Sequence, residues 1–360
     1  MTPIEIARQR LWSQRLTRPD LATPADVARW FGAVQAQEYA HSLYAVGLRM
    51  PAASEAAIER AIADRAIIRT WPMRGTIHLI PAEDARWMLR LLARRTNTKA
   101  ASVYRRAGLT AETFARAGDA LTSALSGGKV LRRQALYAAL DAAGIATAEQ
   151  QRGLHMLGYW AREGLLCLGP RDGKQPTYAL LDEWIPPAPE LEGDAALATL
   201  ARRYFTSHGP ATDQDFAWWS GLTLTEARAG RALVAGELAS ARVDDATYWF
   251  AASTAPENED GEPRAWLLPP YDEYTVAYHD RSAALDPAFP VDPFAILGPV
   301  VMVDGHVVGV WRRTLGREQV AVALTLYTAL TPAQRAAVER AVARYGAFLG
   351  LPTSSEWRRE

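Results

Sequence analysis

Glycines cut residues 110–181 into a fixed order of elements, and that order constrains the fold more than any other feature of the chain. "TAETFARAGDALTSAL" (110–125) carries apolar residues at helical spacing and stops at Gly127-Gly128. "VLRRQALYAALDAAG" (130–144) is a second amphipathic helix ending on Gly144. "TAEQQRGLHMLGYWAREG" (147–164) is a third, with Thr147 and Gln150 spaced as a capping box and Gly164 at its end. "LLCLGPRDGKQPTYALL" then reads as a strand, a Gly-Pro-Arg-Asp-Gly turn and a second strand. Helices followed by a two-stranded wing form the winged variant of the helix-turn-helix.

The same order recurs on either side. "DAALATLARRYFTSH", "ATDQDFAWWSGL" and "TLTEARAGRALVAGE" are helices, followed by "LASARV" and "ATYWFA" pairing across Asp244-Asp245. Near the N-terminus, "TPIEIARQRLWSQRL", "TPADVARWFGAV" and "SEAAIERAIADR" are helices, and "AIIRTWPMRGTIHLI" is two strands around a tight turn at Trp71-Pro72-Met73. Beyond residue 260 the segments are β-branched, and Asp304-Gly305 between two alternating apolar runs signals a hairpin. "TPAQRAAVERAVARYGAFLG" closes the series as a capped helix. The fold class expected is therefore α+β, mainly α. It comprises three tandem winged helix-turn-helix motifs (1–95, 96–188 and 189–252), then a C-terminal antiparallel β-rich element with a terminal helix (253–360).

No apolar run reaches the roughly 18 residues of a membrane span, and "MTPIEIARQRLWSQRL" has no apolar signal core. A cytoplasmic chain is expected. Cys167 is the only cysteine, which excludes an internal disulfide and any cysteine-cluster metal site; its apolar surroundings mark it as core. The net charge is zero, yet residues 1–185 carry 25 Lys+Arg against 17 Asp+Glu, and residues 186–360 carry 15 against 23. A basic half joined to an acidic half suggests one face built for a polyanion. The cations are arginines except for Lys99, Lys129 and Lys174. That preference suits phosphate and base contacts, or reflects a GC-rich genome.

Glycine-rich phosphate loops, HExxH, GxSxG and metal-spaced His/Asp clusters are all missing from the sequence. What stands out is "VQAQEY" (34–39), in which Gln35 and Gln37 flank one alanine. On a helix, residues two apart diverge; in an extended segment they share a face. If the two amides act together, the chain must leave the helix that begins near Thr23, and Glu38 then faces away. The alternative, favoured by spacing alone, is that they cap that helix or bond neighbouring backbone. "RTWPMRGTIHL" (69–79) places Arg69, Arg74 and His78 around one hairpin with Trp71 at its tip. It is either a groove-entering basic element or a solvated surface hairpin. "LLPPYDEYTVAY" offers Asp272 and Glu273 between Tyr271 and Tyr274, a cleft carboxylate or, by default, a solvated turn.

Taken together, the Gln-Ala-Gln tripeptide, "RTWPMRGTIHL" and "LLPPYDEY" resemble the AlkZ-like bacterial DNA glycosylases, related to the YcaQ/AlkX group, over roughly residues 5–350. The resemblance implies tandem winged helices on a concave basic surface for duplex DNA, and excision of N7-alkylated purines, including bulky adducts and interstrand crosslinks made by natural products, often as self-resistance. By position, Gln35 and Gln37 fall on the family's catalytic pair. The YcaQ branch has aspartate where this chain has Gln37, which places the chain nearer the AlkZ branch. Arg69, Arg74, His78, Trp71 and Arg49 are the candidate DNA contacts, and Tyr39, His41, Asp272 and Tyr274 the candidate cleft lining, of the reading that this resemblance favours. It implies no cofactor and no metal, a monomer, no membrane, and duplex DNA carrying alkylated purines as partner, met at the nucleoid. A DNA-binding regulator without catalysis is the second function class, because winged helices are most often recognition modules. A protein-interaction scaffold is a third, disfavoured by the basic N-terminal half.

Overall fold

Threonines set where many of the helices begin. Thr2, Thr23, Thr212, Thr223 and Thr331 each accept a backbone N–H from the residue three positions on, whose side chain answers the threonine's own N–H. These reciprocal bonds satisfy two of the donors that every helix start leaves open. Pro3, Pro24 and Pro332 occupy the first helical position, where the missing N–H costs nothing. The computed structural model describes residues 1–252, 261–285 and 295–359. The chain is an α+β protein that gathers into two compact units, one made of residues 1–58 and 198–360, the other of residues 59–197.

The continuous unit contains the segment read first. Helices Ala111–Leu125, Arg133–Ala142 and Arg152–Arg162 precede strands Leu166–Leu168 and Thr177–Leu180, which pair antiparallel. Phe114, Leu121, Leu136, Leu140, Met156 and Leu157 build the core that these helices share. The third helix starts later than expected. Gln150 and Gln151 both adopt positive φ, the helix opens at Arg152 without a side-chain cap, and Thr147 instead donates its N–H and hydroxyl to the Asp141 carboxylate. Competition from a nearby carboxylate took the threonine away from its capping role. Cys167 is fully buried, and burial pushes its thiol up to about 12.

The hairpin of this unit also differs from expectation. Strands Ile67–Met73 and Thr76–Pro81 turn at Arg74-Gly75, both with positive φ, rather than at Trp71-Pro72-Met73. Trp71 and Pro72 lie within the first strand, where the register shifts between Thr70 and Met73. Proline has no N–H for the ladder, so it sits at an irregularity in the strand and does not make the turn. Trp71 is therefore not a hairpin tip; it packs against the unit's hydrophobic core.

The discontinuous unit joins the two ends of the chain. Strands in the order Thr353–Arg359, Val320–Leu326, His306–Leu315, Val300–Val303 and Ala265–Leu268 form a sheet that is antiparallel except for the pair Val320–Leu326 with Thr353–Arg359. Asp304-Gly305 makes the expected hairpin, with φ of 50° and 97°. Helix Pro332–Leu349 buries Val338, Val342, Tyr345 and Phe348. Strands Leu238–Val243 and Ala246–Ala251 pair as a separate antiparallel ribbon, turning at Asp244-Asp245. A helix at Tyr39–Gly47 and the strand Thr353–Arg359 were not anticipated.

Candidate active site

Gly32 ends helix Pro24–Phe31 with a φ of 80°, a conformation that suits glycine, so the chain leaves the helix before Gln35. Val34–Gln35 is extended, Ala36 and Gln37 follow without regular structure, and helix Tyr39–Gly47 begins with Glu38 as its N-cap. The two amides are unequal. Gln35 is 6% exposed, whereas Gln37 and Glu38 are exposed. Because the extended stretch ends at Gln35, the period-two rule does not carry Gln37 onto the same buried face. Instead the Gln35 side chain folds along the backbone and its Oε1 accepts the Gln37 N–H at 3.1 Å. The local-bond alternative is thus realised for Gln35.

Beneath this turn lies a buried polar network. The Gln35 N–H donates to Glu273 Oε1 at 2.8 Å. Glu273 Oε2 accepts Trp219 Nε1–H at 3.0 Å and lies 3.2 Å from His208 Nε2. His208 is fully buried between the Tyr204 ring, stacked at 4.7 Å, and the edge of Phe31 at 5.2 Å. Burial pushes the His208 pKa below the ordinary imidazole value, and the hydrogen bond and charge of Glu273 only partly oppose that. Its Nδ1 is 2.8 Å from Ser207 Oγ.

The neighbouring carboxylate does a parallel job. Asp272 Oδ2 and Oδ1 accept from Arg49 Nη1 at 2.6 Å and Nη2 at 2.7 Å, a bidentate pair in which neither residue exceeds 1% exposure. Arg49 also donates to Ala45 O at 2.8 Å and to Gln14 Oε1 at 3.0 Å, and Gln14 Nε2 donates to Tyr278 Oη at 3.0 Å. Asp272 caps the short helix Glu273–Val276 by accepting the Tyr274 N–H at 3.0 Å. "YDEY" is therefore not a solvated turn: Asp272, Glu273 and Tyr274 are all buried.

The residues expected at the site are divided between the two units. Gln35, Gln37, Arg49, Asp272 and Tyr274 belong to the discontinuous unit, as do Tyr39 and His41. Arg49, expected at the DNA, is an interior residue whose charge is matched by Asp272. Tyr274, expected in the cleft lining, directs its hydroxyl to Gly305 O at 2.9 Å inside the core. Tyr39 and His41 are partly exposed; His41 meets the Trp311 ring edge-on at 6.2 Å, and burial, with the charge of Arg313, lowers its pKa to about 4. Arg69, Trp71, Arg74 and His78 belong to the other unit. His78 is fully buried, its Nδ1 donating to Thr76 O at 3.0 Å while Nε2 lies 3.5 Å from Arg74 Nη2. Arg69 is 5% exposed, and Trp71 and Arg74 are half-buried. His208, Trp219 and Gln14 gave no signal in the sequence, since none sits in a motif or at a spacing that points to Gln35.

A Gln-Ala-Gln segment whose first residue is bonded to a buried carboxylate, in an α+β chain, is the arrangement on which comparison with known proteins can bear. The family model for DNA glycosylase AlkZ-like proteins matches residues 27–348, and the chain belongs to that family. An interstrand DNA cross-link repair glycosylase of Streptomyces sahachiroi is 30% identical over 333 residues, spanning 84% of this chain and 85% of that protein. The solved structure of the DNA glycosylase AlkZ from the same organism superimposes with a TM-score of 0.77 at 26% identity, covering 99% of this chain and 100% of that one. The chain is thus an enzyme of the DNA glycosylase class. Among the described residues, no helix is long and apolar enough to cross a membrane.

Proposed function

We propose that this chain is a monofunctional glycosylase that hydrolyses the N-glycosidic bond of N7-alkylated purines in duplex DNA, with Gln35 and Gln37 as its catalytic pair. The observation that carries this reading is the Gln35-Ala36-Gln37 turn, which leaves its helix and is hydrogen-bonded from below by Glu273, in a member of a DNA glycosylase family. Chemistry supports this substrate. Glutamine is no general base at neutral pH, and a general base typically contributes about 10²–10⁴-fold. An N7-alkylated purine is already cationic, so its glycosidic bond is weakened before the enzyme acts. What remains is to orient a water toward the deoxyribose C1′ beneath an oxocarbenium-like transition state. Amide oxygens can hold that water without the desolvation penalty of a buried carboxylate. With lysine only at positions 99, 129 and 174, a Schiff-base lyase step is not part of the proposal.

The relative's name speaks of interstrand cross-link repair; we extend crosslinks to this chain and add bulky N7 adducts, with self-resistance as the setting. In the same reading the helix–hairpin series is three tandem winged helices divided near residues 95, 188 and 252. The enzyme works as a cytoplasmic monomer on nucleoid DNA, and Arg69, Arg74, His78 and Trp71 serve the DNA-facing side. Their burial in the free protein means that Arg69 and His78 would act by shaping the hairpin more than by direct contact. Incubating the purified protein with a duplex bearing N7-methylguanine, and with one bearing a natural-product crosslink, tests the proposal. Abasic sites and free modified base, formed only on lesion DNA, are expected. Tight binding to one undamaged sequence with no base release points instead to a non-catalytic winged-helix regulator.

A further inference from the structure

The geometry points to Glu273 as a positioning residue for Gln35, a role that rests on the glycosylase reading of the Gln35-Ala36-Gln37 pair. Glu273 is 1% exposed, and burying a carboxylate is unfavourable unless its oxygens are fully engaged. Its oxygens divide between two tasks. Oε2 is anchored by Trp219 Nε1–H at 3.0 Å and lies 3.2 Å from His208 Nε2, both on the interior side. Oε1 reaches outward to the Gln35 N–H at 2.8 Å.

The backbone that carries this carboxylate is itself fixed. Asp272, one residue earlier, caps the helix that Glu273 begins and is held bidentately by Arg49. The restraint then runs from Glu273 to Gln35 N, and from Gln35 Oε1 to Gln37 N at 3.1 Å, so one carboxylate sets the backbone of both amides. A charge-assisted bond of this kind is roughly twice as strong as a neutral one. Neutral amides have no charge with which to draw in water or a cationic sugar, so their effect depends on aim. Misplacement by about 1 Å can cost on the order of 10²-fold.

The test is single-turnover release of N7-methylguanine from duplex DNA, with duplex affinity measured in parallel, for wild type, Glu273→Gln, Gln35→Ala and the double variant. Glutamine keeps the shape of Glu273 but removes the charge and sets an NH2 group against one of the donors now facing it. Glu273→Gln is expected to slow release on the order of 10²-fold with duplex affinity unchanged. Adding it to Gln35→Ala is expected to leave the rate where Gln35→Ala puts it, because both act through one side chain. A wild-type rate for Glu273→Gln, or losses that multiply in the double variant, overturns the positioning role while leaving the glycosylase reading intact. If Glu273→Gln does not fold, Trp219→Phe, which removes a donor to the same carboxylate, is read by the same two criteria. An inactive wild type, or a fully active Gln35→Ala, removes the glycosylase site and the positioning role together.

Discussion

Arg49 and Asp272 show at the scale of single residues why so little of the site could be read locally. They are 223 positions apart, and neither lies in a segment whose pattern names a partner. "LLPPYDEY" has the proline and acidic content of a solvated turn, and only tertiary contact reveals that both carboxylates are interior. Gln35 and Gln37 stood out as candidates because two amides around one alanine are a local anomaly. What spacing could not supply was their inequality, one buried and one exposed. The Arg49–Asp272 pair yields a stability prediction. Arg49→Met leaves Asp272 buried without its cation and should cost about 3–5 kcal/mol in urea unfolding. Adding Asp272→Leu should restore most of that loss, because desolvation is then no longer incurred by either partner. A double variant as unstable as the single one would contradict this view of the pair.

Elements with strong local chemistry were readable, and those without it were not. Apolar periodicity and glycine stops placed many of the helices, and Asp-Gly and Asp-Asp placed two hairpins, whereas the one capping box read in the sequence, at Thr147, is not formed. Helix Tyr39–Gly47 escaped because its buried residues, Ser42 to Val46, are consecutive and leave no amphipathic stripe to detect. Strand Thr353–Arg359 escaped because it is polar and half-exposed, held by parallel pairing with Val320–Leu326. The hairpin at Asp304-Gly305 illustrates the readable kind and its tolerance. A Cβ at Gly305 would meet the Ala7 Cβ at 3.0 Å and the Tyr274 hydroxyl at 3.3 Å, at a φ of 97°. Gly305→Ala should destabilise the protein by at least about 1 kcal/mol, measurable as a lowered urea midpoint. An unchanged midpoint would mean that the turn relaxes freely.

For the molecule as a whole, the charge pattern along the sequence was a blunter guide than it looked. Split by halves, the chain divides into +8 and −8. The compact units divide it differently: residues 59–197 hold 19 Lys+Arg against 15 Asp+Glu, so the excess is +4, and the remainder carries −4. The N-terminal and C-terminal segments belong to one unit, which no linear reading of composition predicts. The basic excess belongs to the unit with the Arg74-Gly75 hairpin, and the amide pair belongs to the other, whose interior network holds Gln35. The claim that joins these observations is that Gln35 and Gln37 release a cationic purine from DNA. Its most direct test is single-turnover release of N7-methylguanine by wild type, Gln35→Ala and Gln37→Ala, each checked for folding and duplex binding. Release by wild type that falls on the order of 10²-fold or more in both variants, with binding retained, is the predicted result. Release at the wild-type rate by both variants would contradict it.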